Sequence, residues 1–175
     1  NYFIIVGPED DPAGIAKTET AAESLAAIAA SESVFVSRGD ESGTNSKELK
    51  IWEAAGIEPS GDWYLSTGQG MGDTLRVASE KQGYTLTDTG TFLAQQDTLD
   101  LVPLSPESAD LQNTYSVILL NQDKNPSVNT AAAENFAAYL VSEDCQKALE
   151  VYGTEQFGQP LFRPYADTLG TYQTY

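Results

Sequence analysis

The chain has 175 residues, 41% hydrophobic and 20% charged, a globular composition with room for one medium domain or two small lobes. Nine basic residues stand against 26 acidic ones, and the net charge of −17 gives a surface that repels nucleic acid and anionic membrane. With no histidine and one cysteine, internal disulfides, His- or Cys-based metal sites and the usual Ser-His or Cys-His nucleophiles are excluded.

No apolar run approaches the ~20 residues needed to span a bilayer, so no membrane insertion is expected. The chain does not begin with methionine and shows no signal peptide, as a processed or truncated chain would. Short apolar runs alternate with helical stretches, which predicts an α/β fold. Tyr2 to Val6 reads as a buried strand closed by Gly7-Pro8. Thr20-Ala21-Ala22-Glu23 is a capping-box signature that opens a helix reaching about Ala30. Val34-Phe35-Val36 is the next strand and runs directly into Arg38.

A polar, glycine-containing turn follows, then a helix from about Asn45 to Ala55 with Leu49, Trp52 and Ala55 expected on its core face and Gly56 as its stop. Trp63-Tyr64-Leu65 is a short strand entering Ser66-Thr67-Gly68-Gln69-Gly70. A helix begins near Met71, with Met71, Leu75 and Ala78 on one face. Tyr84 to Asp88 and Leu99 to Leu104 read as strands, and Thr89 to Gln95 as a short helix between them. After the apolar run Tyr115 to Leu120 the character changes. A polar turn region is followed by helices over about Thr130–Val141 and Glu143–Tyr152, with Ser142 as an N-cap, and then by an irregular tail from Phe157. The natural boundary lies near Leu120, giving an α/β portion at 1–120 and a helical portion at 121–175. Cys145 falls at an apolar-periodic position and reads as a buried structural thiol.

Two places share one design: strand, glycine-rich turn, helix start. They are Val36 through Thr44 and Leu65 through Met71. A helix start leaves backbone N–H groups without intrahelical partners and carries partial positive charge, so it can receive an anion. Arg38 should emerge at the carboxyl edge of its strand, where open α/β sheets bind ligands. Its planar fork of donors suits oxyanion oxygens. Ser42 and Thr44 offer hydroxyls. Plainer readings stand beside these: Arg38 as a salt-bridge partner of Asp40 or Glu41, and Ser42 and Thr44 as helix caps.

Other motifs carry less. The Gly68, Gly70 and Gly72 cluster lacks the lysine of a phosphate loop and the spacing of a dinucleotide fingerprint. Glu9-Asp10-Asp11 lacks the ligand spacing of a calcium loop and reads as a solvated turn. Asp88 reads as a helix cap, and Trp52, Trp63 and Tyr84 as packing residues. The Arg-Gly-Asp tripeptide at 38–40 follows a buried strand and is read as coincidence.

Phe3-Ile4-Ile5-Val6-Gly7-Pro8, Asp11-Pro12-Ala13-Gly14-Ile15, Phe35 to Asp40 with Ser42-Gly43-Thr44, and Gly61-Asp62-Trp63-Tyr64 occur in that order. Gly68 to Gly72, Tyr84 to Asp88 and Phe157 to Phe162 continue the series. Taken together they resemble the tungstate-binding proteins of bacterial ABC-type uptake systems, over essentially the whole chain. The resemblance implies a type II periplasmic-binding-protein-like fold, with 1–120 as a central ligand-binding lobe and 121–175 completing the second lobe. In this family the first motif is preceded by a substantial segment bearing a Thr/Ser-rich anion motif, so this chain is expected to hold one side of the clamp. The implied ligand is tungstate or molybdate, with no cofactor and no protein-ligated metal. The implied partners are ABC permease subunits, and the implied location is extracytoplasmic, either periplasmic or lipid-anchored at the cell surface. Carried over by position, oxyanion contacts fall to Arg38 and Thr44, then Ser42 and the Gly43 backbone, then the backbone of Gly70 and Met71. No catalytic residue is expected. An enzyme of phosphate or sulfate esters, or a sensor domain using the same pocket, is the alternative.

Overall fold

Five short strands make up the sheet of the first half of the chain, and their order follows from their hydrogen bonds. In this computed structural model, which describes residues 1–166, β1 (Phe3–Gly7) pairs antiparallel with β4 (Thr85–Asp88) and β5 (Val102–Pro103). A parallel pair, β2 (Phe35–Ser37) and β3 (Tyr64–Ser66), lies beside it. The two groups join where Val36 N donates to Tyr84 O at 2.7 Å and Tyr84 N to Val34 O at 2.8 Å. The sheet therefore runs β3-β2-β4-β1-β5.

Side chains alternate across this sheet and cover it with helices on both faces. Phe3, Ile5, Phe35 and Leu86 pack with Leu25 and Ile28 of α1 (Ala21–Ser31) and with Ile51 and Trp52 of α2 (Gly43–Ala54). Val6 and Val36 face the other way, onto Met71, Leu75 and Ala78 of α3 (Met71–Lys81) and Phe92 of α4 (Thr89–Gln95). Each such aliphatic side chain contributes about 1.5–3 kcal/mol by leaving water. The capping box of α1 forms as its sequence predicts: Thr20 accepts from Glu23 N while the Glu23 carboxylate accepts from Thr20 N. Asp88 caps α4 by accepting from Thr91 N at 2.9 Å.

Three sequence expectations change. The helix expected from Asn45 starts at Gly43, because Ser42 rather than a later residue serves as N-cap. Of its expected core face, Trp52 is buried, but Leu49 is 50% exposed and Ala55 falls at the C-cap; the buried residues are Asn45, Glu48, Ile51 and Trp52. A pattern built on apolar residues misses that face, because two of its four members are polar and are held by hydrogen bonds described below. The strand expected over Leu99–Leu104 shrinks to Val102–Pro103, with Leu99 and Leu101 packing as loop residues.

From Thr114 onward the described residues form a compact unit separate from Asn1–Asn113. Within it, α5 (Thr130–Leu140) and α6 (Glu143–Val151) meet at Ser142, whose hydroxyl accepts from Cys145 N at 3.3 Å. Cys145 is buried. Gly153 has φ +92°, and a Cβ there would lie 2.6 Å from Leu161 Cγ; the short α7 (Thr154–Phe157) follows it. No helix among the described residues is long and apolar enough to cross a membrane.

Candidate functional site

β2 and β3 run side by side and in the same direction, so their carboxyl ends deliver two loops to one edge of the sheet. Residues 38–42 lead into α2, and residues 67–70 lead into α3. The loops are joined. Thr67 N donates to Ser37 O at 3.0 Å, and the Thr67 hydroxyl lies 3.3 Å from both Ser37 O and Arg38 O. The same hydroxyl meets Thr74 Oγ1 at 2.9 Å, which ties the second loop to the first turn of α3. Gly39, at φ +59°, lies so close to Ser66 that an added Cβ would fall 1.8 Å from its Oγ. Only glycine meets both demands. Glu41 is also left-handed, at φ +58°.

Arg38 leaves β2 directly, as its sequence position predicts. One terminal guanidinium nitrogen pairs with Asp40 Oδ2, so the salt-bridge reading is realised. Asp40 Oδ1 accepts from Ser42 N at 3.2 Å. Hydrogen bonds from Ser42, with help from the Arg38 guanidinium, hold the Asp40 carboxyl below its ordinary range despite partial desolvation. The pairing does not exhaust Arg38. Its Nε is buried and hydrogen-bonds nothing among the described residues. A buried guanidinium N–H without an acceptor costs about 1–3 kcal/mol, which a bound oxyanion would recover.

The three long helix starts of this unit are not alike. In α1 the first N–H groups are closed by the chain itself: Asp110 Oδ2 accepts from Ala21 N at 3.1 Å and Ala22 N at 3.4 Å, and Thr20 takes Glu23 N. In α2 the Ser42 hydroxyl takes Asn45 N at 3.2 Å and so acts as a cap; the N–H groups of Gly43 and Thr44 precede it. In α3 the N-cap is Gly70, which has no side chain to offer, and the first intrahelical bond is Thr74 N to Gly70 O at 3.0 Å. The N–H groups of Met71 and Gly72 are therefore free to receive an acceptor from outside the helix. Every sequence-selected residue, Arg38, Ser42, Gly43, Thr44, Gly70 and Met71, thus lies on these two stitched loops or the helix starts they feed. Ser42 serves as a cap, and Met71 is buried with only its backbone suited to contact.

Beneath the first loop is a feature that the sequence reading missed. Glu48, 2% exposed, accepts from Ser37 Oγ at 2.6 Å, Trp52 Nε1 at 3.1 Å and Tyr64 Oη at 2.7 Å. Asn45 Nδ2 lies 3.3 Å from Ser37 Oγ and 3.5 Å from Glu48 Oε2, and Asn45 Oδ1 accepts from Glu41 N at 3.2 Å. Burial, reinforced by the Glu48 carboxylate, pushes the Tyr64 phenol well above its ordinary value. The available signal was the i, i+3 spacing of Asn45 and Glu48 one turn before Trp52. No groups of acidic or cysteine side chains that could hold a metal ion occur among the described residues.

Residues 1–144 match the family model of the PBP superfamily domain. The chain belongs to the PBP superfamily. It is 50% identical over 171 residues to a Haloferax volcanii protein whose provisional name is ABC transporter anion-binding protein, covering 95% of this chain and 49% of that one. It is 43% identical over 169 residues to the tungstate-binding protein TupA of Peptoclostridium acidaminophilum, covering 95% of this chain and 59% of that one. Among solved structures, the tungstate-binding protein TupA of Desulfovibrio alaskensis G20 matches with a TM-score of 0.80 and 41% identity, over 94% of this chain and 67% of that chain. This PBP-superfamily chain spans about half the length of the curated relatives it matches.

Proposed function

We propose that this chain is the oxyanion-holding part of an extracytoplasmic solute-binding protein that captures tungstate, or molybdate, for an ABC permease. The observation that carries the reading is the buried Arg38 Nε without an acceptor, in a loop stitched to a second, uncapped helix start. The Thr44 hydroxyl and the backbone N–H groups of Gly43, Thr44, Gly70 and Met71 complete a set of donors suited to a tetrahedral dianion. Ser42 shapes the site as a cap. We assign the lobe to Asn1–Asn113, where the first compact unit ends short of the boundary expected near Leu120, and the following chain to the second side of the clamp. The relatives' names support the ligand class, and their greater length supports a cleft completed by further chain.

Binding without chemistry fits the residue set, since the chain has no histidine and its one cysteine, Cys145, lies in the other unit. The test is calorimetric titration with tungstate and molybdate, with phosphate and sulfate as controls, on the parent and on Arg38→Ala. Loss of at least tenfold in tungstate affinity at unchanged fold is expected. Equal affinity in the variant sinks the assignment of Arg38.

A further inference from the structure

We infer that Asn45 and Glu48 are positioning residues for this site: a buried polar relay that holds the Arg38–Ser42 loop in its binding conformation. The inference rests on the oxyanion reading above but concerns residues that need never touch the ion. The loop turns twice through left-handed backbone, at Gly39 and at Glu41. Glycine adopts that conformation freely; glutamate does not, so the surroundings must impose it.

The constraint is visible. Asn45 Oδ1 takes the Glu41 N–H at 3.2 Å, and Asn45 N is bonded to the Ser42 hydroxyl, so one side chain and its own amide grip both residues of the turn. Asn45 can present Oδ1 upward only because its Nδ2 has acceptors below, in Ser37 Oγ and Glu48 Oε2. Glu48 is in turn fixed from its other oxygen by Trp52 and Tyr64. The orientation of the Asn45 amide is thus dictated by a carboxylate on the next turn of the same helix. Asp40 lies between the two left-handed residues and pairs with Arg38, which enters the first of them, so the turn decides where the guanidinium points.

A core made only for stability would not need this arrangement. Apolar residues at 45 and 48 would bury as well without desolvating a carboxylate. Hydrogen bonds at Oε1 and Oε2 also separate the roles. Those at Oε1, from Trp52 and Tyr64, hold Glu48; those at Oε2, from Ser37 and Asn45, lead to the loop.

The test compares a deletion within the relay with a destabilising deletion outside it. Asn45→Ala removes the acceptor for Glu41 N–H, and Asp110→Ala uncovers the Ala21 and Ala22 N–H groups at the start of α1. Each variant is titrated with tungstate, melted thermally, and followed by amide hydrogen exchange at Glu41 and Ser42. Asn45→Ala is expected to lower tungstate affinity tenfold or more and to raise exchange at Glu41, while Asp110→Ala lowers the melting temperature and leaves affinity within twofold. Affinity that falls in both variants in step with melting temperature overturns the relay, as does an Asn45→Ala variant with parental affinity or unchanged Glu41 exchange. A parent that binds no tungstate removes the oxyanion reading alone, because the exchange comparison still decides whether Asn45 holds the turn.

Discussion

Gly39→Ala should cost about 3 kcal/mol of folding stability, and the structure separates that loss into two parts. Alanine at φ +59° sits in the left-handed region, at about 1–2 kcal/mol. Its Cβ would also fall 1.8 Å from Ser66 Oγ and 3.1 Å from Ser66 Cβ. The hydroxyl can swing away by rotation about χ1, but the Cβ can move only with β3, so about 1–2 kcal/mol of crowding remains. Ser66→Gly deletes both atoms, so in the double variant only the backbone part of the loss should persist. Urea unfolding followed by tryptophan fluorescence measures this well, since Trp52 and Trp63 both belong to the unit carrying the loop. A Gly39→Ala variant within about 0.5 kcal/mol of the parent, or a loss of equal size with and without Ser66, refutes the argument that close strand approach fixes this glycine.

Above pH 10 the first unit should lose stability steadily. Burial raises the phenols of Tyr64 and Tyr84, with the Glu48 and Asp11 carboxylates adding to it. Both rings therefore stay protonated when folded but ionise when unfolded, so stability is full below about pH 10 and falls above it, by up to about 1.4 kcal/mol per pH unit for each ring. Urea melts from pH 8 to 11 should show the decline, shallower in Tyr84→Phe; an equal slope in that variant contradicts the assignment. Asp110→Ala should destabilise by about 1–2 kcal/mol, since it uncovers the Ala21 and Ala22 N–H groups at the start of α1. Hydrogen exchange should rise first in that helical turn, and uniform change along α1 would count against a capping role.

The sequence made the strand–turn–helix units legible because their punctuation is local: Thr20 with Glu23, Asp88 before Thr91, Ser142 before Cys145. Arg38 was legible for a similar reason, since it directly follows the short strand Phe35–Ser37. The buried face of α2 was not. Asn45 and Glu48 look like surface residues until Ser37 and Tyr64, brought in by two neighbouring strands, supply partners that no helical periodicity can reveal. The same holds for Asp110, whose role at Ala21 depends on contact across 89 positions of chain. Loss of the expected strand at Leu99–Leu104 has the opposite cause: its leucines are anchored by packing, and only Val102 and Pro103 find a strand to pair with.

The Thr67 stitch also bears on how such proteins could be recombined. Its amide and hydroxyl hold carbonyls of the preceding loop, and Ser66 fills the space left by Gly39, so neither loop has a conformation of its own to carry elsewhere. A chimera that exchanges residues 37–45 alone with a relative would mate one half of a joint to a foreign half. Crossovers placed before Val34 and after Thr74 would move both halves, together with Glu48, as one transferable cassette.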